Sequence, residues 1–162
     1  MYKRQGELWV RGAPVIKGYI NRPEATAETI TDGWLHTGDI ARLDEHGFIY
    51  IVDRLKDMVL RGGENIYCSE VETCLHKIDA ILECSVFGIP DDRLGEEVGV
   101  CIFKDAAISL SAADIREFCS EHMAKHKIPR YIWFADEPLP RNANGKFLKR
   151  ELRDSLDIEE AV

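Results

Sequence analysis

The sequence contains no run of five or six basic residues, and acidic residues outnumber basic ones. Asp and Glu total 29 against 21 for Lys and Arg, which gives a formal net charge of −8 at pH 7. DNA, RNA and anionic membrane surfaces all repel a polyanion. We therefore expect no nucleic-acid partner and no electrostatic attachment to a membrane surface.

Long apolar runs are also missing. The longest ones, such as Phe48–Val52 and Tyr131–Ala135, are far shorter than the 20 or so residues that a bilayer-spanning helix needs. The first nine residues carry charges but no apolar core of the kind found in secretory signals. We expect no membrane span and a cytoplasmic location.

Cysteine does not occur in the patterns that bind zinc or build disulfide frameworks. The five cysteines are odd in number, are scattered, and never form C-x-x-C. Cys84, Cys101 and Cys119 each lie within an apolar run, where cysteine serves as a small buried hydrophobe. Free thiols in a reducing cytosol are therefore expected.

One pair of histidines has the spacing of a helical metal site. His122 and His126 are four residues apart, but the glutamate that should follow the first histidine is replaced by Met123. The pair also lies where a helix is expected to end, just before Pro129. We interpret it as a solvated helix end and expect no metal site.

The first 55 residues contain strand patterns but no complete domain. An alternating strand follows Gly6, a short helix starts at Pro23, and two strands flank a turn at residues 45–47. A small isolated sheet is marginally stable in water. We interpret residues 1–55 as the β-rich C-terminal end of a larger domain that lies upstream.

From residue 56 onward, strands and helices alternate as in a compact α+β domain. Ser69, three residues before Glu72, has the signature of a capping box, and Ser111 is expected to cap the next helix. The acidic tail is expected to fray. Strands are predicted at 57–60, 80–90, 96–104 and 131–136, a loop at 61–65, and a last helix at 147–156.

The candidate motifs are weak when they are taken singly. The paired glycines of "LRGGEN" at 60–65 permit a sharp turn or the close approach of a ligand, but they match no phosphate-loop pattern. Lys146 follows an Asn-Gly turn and precedes the last helix, and by itself it would be an ordinary exposed lysine.

Three segments in order resemble the C-terminal portion of the adenylate-forming superfamily. They are "GWLHTGD" at 33–39, "GFIYIVDRLKDMVLRGGENIYCSEVE" at 47–72 and "LPRNANGKFLKREL" at 139–152. The superfamily holds acyl-CoA synthetases, luciferases and peptide-synthetase adenylation domains, and the resemblance covers about residues 6–153. The second segment most resembles fatty and aryl acyl-CoA ligases.

The resemblance implies an ATP-dependent acyl-CoA ligase that works in two steps. The carboxylate of a small fatty or aryl acid attacks the α-phosphate of ATP, giving an acyl adenylate and pyrophosphate, and coenzyme A then displaces AMP. ATP/AMP, Mg²⁺ and coenzyme A are the implied cofactors. Residues 56–162 would be a mobile α+β lid that works against its own N-terminal domain.

The resemblance also implies that this chain is only part of such an enzyme. In the family, the phosphate loop, the segment that holds adenine and Mg²⁺, and the acyl pocket belong to the large N-terminal domain. None of the three is found in these 162 residues. We therefore expect the isolated chain to be catalytically inert.

The same resemblance assigns the nucleotide and catalytic residues by motif position. Asp39 matches the aspartate that holds the ribose hydroxyls, and Arg54 matches the arginine that contacts the nucleotide near ribose and phosphate. The usual glycine before that arginine is Asp53 here, which puts the local turn in question. Lys146 matches the lysine that catalyses adenylation.

Four further positions follow from the resemblance. Lys56 falls at the hinge between the two parts. Gly62 and Gly63 match the loop that lines the pantetheine tunnel, and Asn65 is assigned to the same cofactor-binding loop. The absence of side chains at the two glycines would let a thin chain pass close to the backbone.

Two other functions stay open on the sequence alone. One is an adenylation domain that loads a carrier protein, and a downstream carrier domain would favour it. The other is a non-catalytic module that binds a nucleotide or a protein partner, and a gene that starts at Met1 would favour that one.

Overall fold

The boundary between the two structural units falls between Lys56 and Asp57. The structure is a computed structural model that describes residues 4–162. We call the part up to Lys56 the front unit and Asp57–Val162 the rear unit. Each unit has its own sheet, and helices and strands are mixed, which confirms the predicted α+β class.

The front unit is a four-stranded antiparallel sheet organised around its third strand, which pairs with the other three. The strand predicted after the turn at 45–47 begins at Ile49 and continues to Arg54. The elements are β1 (Arg4–Val10), α1 (Pro23–Thr29), β2 (Ile30–Thr31), β3 (Trp34–Leu43) and β4 (Ile49–Arg54).

Apolar side chains of β4 and of Phe48, the residue before it, face solvent in the front unit. Phe48, Ile49 and Ile51 each expose more than half of their surface, at 65%, 56% and 57%. Among the described residues up to Lys56, only Ile40 and Ala41 are buried. This sheet therefore has almost no core of its own, which is unusual for a stable sheet in water.

The rear unit is a five-stranded sheet in which β8 is central. β7 pairs with β8 antiparallel, β9 pairs with it in parallel, and β5 joins it at Gly95. The strands are β5 (Val59–Arg61), β6 (Glu64–Ile66), β7 (Ile81–Asp91), β8 (Gly95–Lys104) and β9 (Tyr131–Ala135). The helices are α2 (Cys68–Leu75), α3 (Ala112–His122), α4 (Lys149–Ser155) and short 3-10 turns at Lys125–Lys127 and Ile158–Glu160.

Both faces of the rear sheet are buried. Successive strand residues point to opposite faces, so each of the three long strands contributes to two hydrophobic clusters. One cluster packs against α2 and α3, and the other packs against α4 and the C-terminal segment. The first includes Val86, Val100 and Ile132, and the second includes Phe87, Cys101 and Trp133.

All five cysteines lie in the rear unit, and all five are buried and free. Burial raises the pKa of the Cys84 and Cys119 thiols to about 12 and that of Cys101 to about 11. These thiols stay protonated near neutral pH and act as small apolar side chains.

The capping box predicted at Ser69 is wrong. The N-cap of α2 is Tyr67, and no side chain caps the helix there. The Glu72 carboxylate instead accepts hydrogen bonds from the Val86 N–H at 2.9 Å and from Lys149 Nζ at 2.7 Å. A cationic partner from α4 satisfies this carboxylate better than a neutral backbone N–H at the helix start.

The cap predicted at Ser111 is confirmed as a complete capping box. Ser111 Oγ accepts a hydrogen bond from the Asp114 N–H at 3.2 Å, and the Asp114 carboxylate accepts one from the Ser111 N–H at 2.8 Å. The hydrogen bonds from Ser111 lower the pKa of Asp114. The start of α3 is therefore fixed by local chemistry alone.

The prediction that the acidic tail frays is wrong. The Val162 N–H donates to the Ile132 carbonyl at 3.0 Å, and the Trp133 indole donates to the Asp157 carbonyl at 2.7 Å. Arg116 also donates to the Val162 carbonyl at 2.6 Å. These backbone contacts place the tail beside β9.

None of the helices in residues 4–162 is long and apolar enough to cross a bilayer.

Replacing Glu72 with alanine should destabilise the rear unit by about 2 kcal/mol, because Lys149 would keep a poorly solvated charge without its partner and the Val86 N–H would lose its acceptor. Urea unfolding at pH 7 measures the loss. Glu121→Ala removes an exposed carboxylate of α3 and should stay within about 0.5 kcal/mol of the parent chain. Equal effects of the two substitutions would contradict a structural role for Glu72.

The stability that the ion pair between Glu72 and Lys149 contributes depends on pH in a definite direction. Burial lowers the pKa of Lys149, but the Glu72 carboxylate and other nearby groups more than offset that effect, so the net pKa is raised. The stability that this pair contributes is then fully present at neutral pH. The part that comes from the raised pKa of Lys149 should be lost as the pH rises above about 10.5, the ordinary pKa of lysine.

Candidate functional site

Asp39 lies in a bulge of β3. Thr37, Gly38 and Asp39 stand opposite the single residue Leu8 of β1. Thr37 Oγ1 donates to the Leu8 carbonyl at 2.8 Å, and Glu7 Oε1 accepts from the Gly38 N–H at 3.1 Å. Gly38 has a φ of 72°, a conformation that glycine adopts without strain. The bulge therefore holds Asp39 on a shaped and hydrogen-bonded backbone.

Asp39 and Arg54 are brought together by the pairing of β3 with β4. They are direct register partners, and Arg54 Nε lies 3.3 Å from Asp39 Oδ1. The Arg54 N–H donates to the Asp53 carboxylate at 2.7 Å, so aspartate in place of the usual glycine still allows an extended strand here. A carboxylate beside a guanidinium offers an acceptor for hydroxyls next to a donor for phosphate oxygens.

The residues that support this bulge were missed by the sequence analysis. The Trp9 ring stacks on the His36 ring with centroids 4.0 Å apart, and its indole donates to Glu7 Oε2 at 2.7 Å. The Glu7 carboxylate therefore joins Trp9 to the Gly38 backbone. An acidic residue in the alternating strand pattern of β1 was the available signal.

The paired glycines form a tight hairpin between β5 and β6 rather than the predicted loop. Gly62 and Gly63 have φ values of 58° and 87°, which are the two left-handed positions of a type I′ turn. Asn65 of β6 lies opposite Leu60 of β5, and the Gly62 N–H donates to the Leu94 carbonyl at 2.8 Å. The turn alone therefore accounts for glycine at both positions.

The two glycines differ in the space around them. A Cβ on Gly62 would lie 3.2 Å from a methyl group of Leu94, whereas a Cβ on Gly63 would have nothing within 4 Å. Gly63 therefore faces open space on its side-chain side. A thin ligand can approach the backbone there without displacing a side chain.

A buried ion pair fixes this hairpin to β8. Arg61 binds Glu97 through two hydrogen bonds of 2.6 and 3.0 Å, and Glu97 is only 2% exposed. Arg130 adds a contact of 3.3 Å to the same carboxylate. The hydrogen bonds that Arg61 donates to Glu97 raise the pKa of Arg61. The sequence signal was an acidic residue at the start of an apolar strand, where burial requires a partner.

Lys146 leaves a turn that the Asn142 side chain holds in place. Asn142 Oδ1 accepts hydrogen bonds from the Asn144 N–H at 2.9 Å and the Lys146 N–H at 3.0 Å. Gly145 has a φ of 78°, and the Lys146 carbonyl accepts from the Asn142 N–H at 2.8 Å. Within residues 4–162, the exposed Lys146 side chain makes no hydrogen bond or ion pair, so its ammonium is available to an anionic ligand.

Lys56 is exposed in the turn that links the front and rear units. This is the position that the resemblance assigned to the hinge.

His122, the first histidine of the pair with metal-site spacing, stacks on Phe118, and its Nδ1 lies 2.8 Å from the Phe118 carbonyl. In the part of the chain that the structure describes, no group of three or more His, Cys, Asp or Glu residues has an arrangement that could hold a metal ion.

Much of the rear unit matches a known protein family. Residues 70–146 match the family described as the AMP-binding enzyme C-terminal domain. Over these residues the chain is similar to this domain, and most of the chain matches the C-terminal part of acyl-CoA ligases. The resemblance found in the three sequence motifs is thereby confirmed.

Two curated relatives show how much of such an enzyme is present. A 3-[(3aS,4S,7aS)-7a-methyl-1,5-dioxo-octahydro-1H-inden-4-yl]propanoyl:CoA ligase from Rhodococcus jostii is 46% identical over 93% of this chain. A 2-succinylbenzoate–CoA ligase from Bacillus cereus is 44% identical over 94% of it. The chain spans only 29% and 31% of the lengths of these relatives.

Solved structures show the same correspondence. The o-succinylbenzoate CoA synthetase from Bacillus subtilis, in complex with its acyl-adenylate intermediate, matches with a TM-score of 0.85 and 38% identity. The match covers 94% of this chain and 31% of that one. ATP-bound MatB from Rhodopseudomonas palustris matches with a TM-score of 0.87 and 34% identity over 94% of this chain and 30% of that one.

Proposed function

We propose that this chain is the C-terminal part of an AMP-forming acyl-CoA ligase. Residues 1–55 are the end of its large AMP-binding domain, and residues 56–162 are its mobile lid. The observation that carries the proposal is the 38% identical match of 94% of the chain to a synthetase that holds an acyl adenylate. The exposed apolar residues of β4 support an upstream domain that covers this sheet.

The proposed reaction converts a carboxylate into a thioester in two steps. A carboxylate oxygen forms a bond to the α-phosphorus of ATP, and the bond to the bridging oxygen breaks, so that pyrophosphate leaves. The thiol of coenzyme A then loses its proton and attacks the acyl carbon, and AMP leaves as the C–O bond breaks. Adenylation is needed because a free carboxylate is a poor acyl donor.

The front unit contributes the nucleotide contacts in this proposal. The Asp39 carboxylate accepts hydrogen bonds from the two ribose hydroxyls, which fixes the position of the nucleotide. Arg54 lies against it at 3.3 Å and donates toward ribose and phosphate oxygens. The bulge in β3 supports this geometry because Glu7 and Thr37 hold its backbone.

The rear unit contributes a different group to each step. Lys146 supplies the ammonium that stabilises negative charge during adenylation. Gly62 and Gly63 line the pantetheine path during thioester formation, with Asn65 on the following strand. Lys56 is the hinge whose backbone rotation exchanges the two faces, as expected for a few loop residues that absorb a domain motion.

The proposed cofactors are ATP, Mg²⁺ and coenzyme A. The resemblance to the adenylate-forming superfamily assigns Mg²⁺ to the N-terminal domain of the ligase, and the lid residues act on phosphate and acyl groups directly. The proposed substrate is an aryl or fatty acid, since one relative is named for 2-succinylbenzoate and a solved neighbour is a fatty acyl CoA synthetase. A cytoplasmic location, where ATP and coenzyme A are found, belongs to the same proposal.

The test measures both half-reactions in the full-length ligase with a panel of aromatic and fatty acids. Pyrophosphate exchange into ATP should depend on the acid, and a thioester should form only after coenzyme A is added. The 162-residue chain alone should show only background exchange, because the phosphate loop and acyl pocket are not within it. Turnover by the isolated chain, or a full-length protein that transfers acyl groups to amines but not to coenzyme A, would contradict the proposal.

A further inference from the structure

Glu83 connects the sheet of the rear unit to the turn that carries Lys146. Glu83 lies near the start of β7, and its side chain is 21% exposed. Its Oε2 accepts a hydrogen bond from the Leu139 N–H at 2.8 Å, and its Oε1 accepts one from Arg141 Nη2 at 3.0 Å. One carboxylate therefore binds both the backbone and a side chain of the segment that leads into the turn.

Arg141 extends this connection to the residue before Lys146. Its Nη1 donates to the Gly145 carbonyl at 2.8 Å, and its guanidinium carbon lies 3.9 Å from the centre of the Phe147 ring. Arg141 and Phe147 also form an isolated antiparallel bridge. The guanidinium thus contacts the opposite side of the turn, at Gly145 and Phe147, while it binds Glu83.

The chemistry of these contacts suits a rigid attachment. Hydrogen bonds between a guanidinium and a carboxylate are charge-assisted, and the planar fork of arginine fixes their direction. Asn142 shapes the turn from within through bonds to the turn's own backbone. The contacts of Glu83 and Arg141, together with the packing of Leu139 and Phe147 in the second hydrophobic cluster, therefore set where the turn lies on the sheet.

We propose that Glu83 and Arg141 are positioning residues for Lys146. They hold the backbone of Lys146 in a fixed position relative to β7. Only the side-chain torsions of the lysine then remain to be ordered when its ammonium binds the substrate. Well-oriented groups gain rate because their geometry is set before the reaction, and a shift of about 1 Å can lower a rate by as much as a hundredfold. This inference rests on the proposed role of Lys146 in adenylation.

The first test uses the 162-residue chain and does not depend on activity. Backbone order parameters at Gly145 and Lys146, measured by ¹⁵N relaxation, should lie near the rigid value of about 0.85 in the parent chain. In Arg141→Gln they should fall toward values below about 0.6, typical of a flexible loop. The order parameter of Gly62 should be unchanged, because that hairpin is fixed by Glu97 instead.

The second test uses the full-length ligase. Arg141→Gln should lower kcat for pyrophosphate exchange by roughly ten- to a hundredfold, with a much smaller change in KM for ATP, because the effect is on the position of Lys146. Thioester formation from a supplied acyl adenylate should be unchanged. Arg141→Lys restores charge without the planar fork and should recover only part of the rate. Glu83→Gln should resemble Arg141→Gln.

Arg150→Gln is the matched control, since it removes the same charge nearby. Arg150 is almost fully exposed on α4, and it lies 3.8 Å from the acidic side chain of Asp154. The Arg150→Gln variant should leave the rates of both half-reactions and the backbone order of the turn unaltered. Unchanged order at Lys146 in Arg141→Gln would overturn the attachment, and a disordered turn with a normal adenylation rate would overturn the positioning role. If Lys146→Ala were itself silent, the role of the lysine would fail even where the order of the turn is lost as expected.

Discussion

Lys146→Ala in the full-length ligase is expected to slow formation of the acyl adenylate by about a hundredfold or more. Negative charge accumulates on the non-bridging oxygens of the α-phosphate as the anionic carboxylate approaches it. An ammonium between the two groups reduces their repulsion, and loss of one such stabilising group elsewhere has lowered kcat by about a hundred- to a thousandfold. In the structure this ammonium is exposed and has no partner among residues 4–162, as a group awaiting a substrate would be.

The two half-reactions separate this role from a general loss of fold. Thioester formation from a supplied acyl adenylate should be almost unchanged by Lys146→Ala, because the lid is proposed to have turned this loop away by then. Lys146→Arg should rescue poorly, since a planar guanidinium is bulkier and has a different geometry. Lys77→Ala, which removes another exposed lysine of the rear unit, should have no effect on either step. Equal losses in both steps would return Lys146 to the status of a surface lysine.

The second large effect is expected at the glycine hairpin. Gly63→Leu should impair thioester formation by at least about tenfold while adenylation changes little, because the new side chain would occupy the open space beside the backbone. Apart from its chain neighbours, no atom of residues 4–162 lies within 4 Å of a Cβ at this position, so the added bulk of leucine obstructs the ligand. The rates of the two half-reactions, measured separately, show how much more thioester formation is slowed than adenylation.

Backbone strain has to be distinguished from bulk at this position. Gly63 has a φ of 87°, where a residue with a Cβ is strained by about 1–2 kcal/mol. Gly63→Ala carries this strain with little bulk, and Gly63→Leu carries the strain and the bulk together. The thioester rate should therefore fall much further in the leucine variant than in the alanine variant. Similar rates in the two variants would assign the effect to the turn and remove the tunnel role.

The elements of the rear unit were predictable because their signals are local. Strands β7, β8 and β9 are buried on both faces, so they appear in the sequence as nearly continuous apolar runs bounded by turn residues. The capping box of Ser111 lies within four residues of sequence. The turn before Lys146 was also recognisable, because an Asn-Gly pair marks it directly.

The contacts that position the site were not predictable, because their partners are far apart in sequence. Glu83 and Arg141 are separated by 58 residues, and Glu7 and Gly38 by 31. The capping prediction at Ser69 failed for the same reason, since Glu72 pairs with Lys149, 77 residues later. A sequence shows that a charged residue in an apolar strand needs a partner, but it does not show which of many arginines or lysines provides it.

The burial of every native thiol makes this chain suitable for site-specific spectroscopic labelling. The thiolate is the species that reacts with maleimides, and the five buried cysteines of the rear unit should react only when that unit opens. Ile20 of the front unit is 89% exposed and Ile108 of the rear unit 41% exposed. Ile20→Cys and Ile108→Cys together would then accept a donor and an acceptor dye, one on each unit, without removal of any of the five cysteines of the rear unit. Energy transfer between the dyes in single full-length molecules, after replacement of any cysteines in the remainder of the ligase, would report the motion of the lid as ATP and then coenzyme A are added.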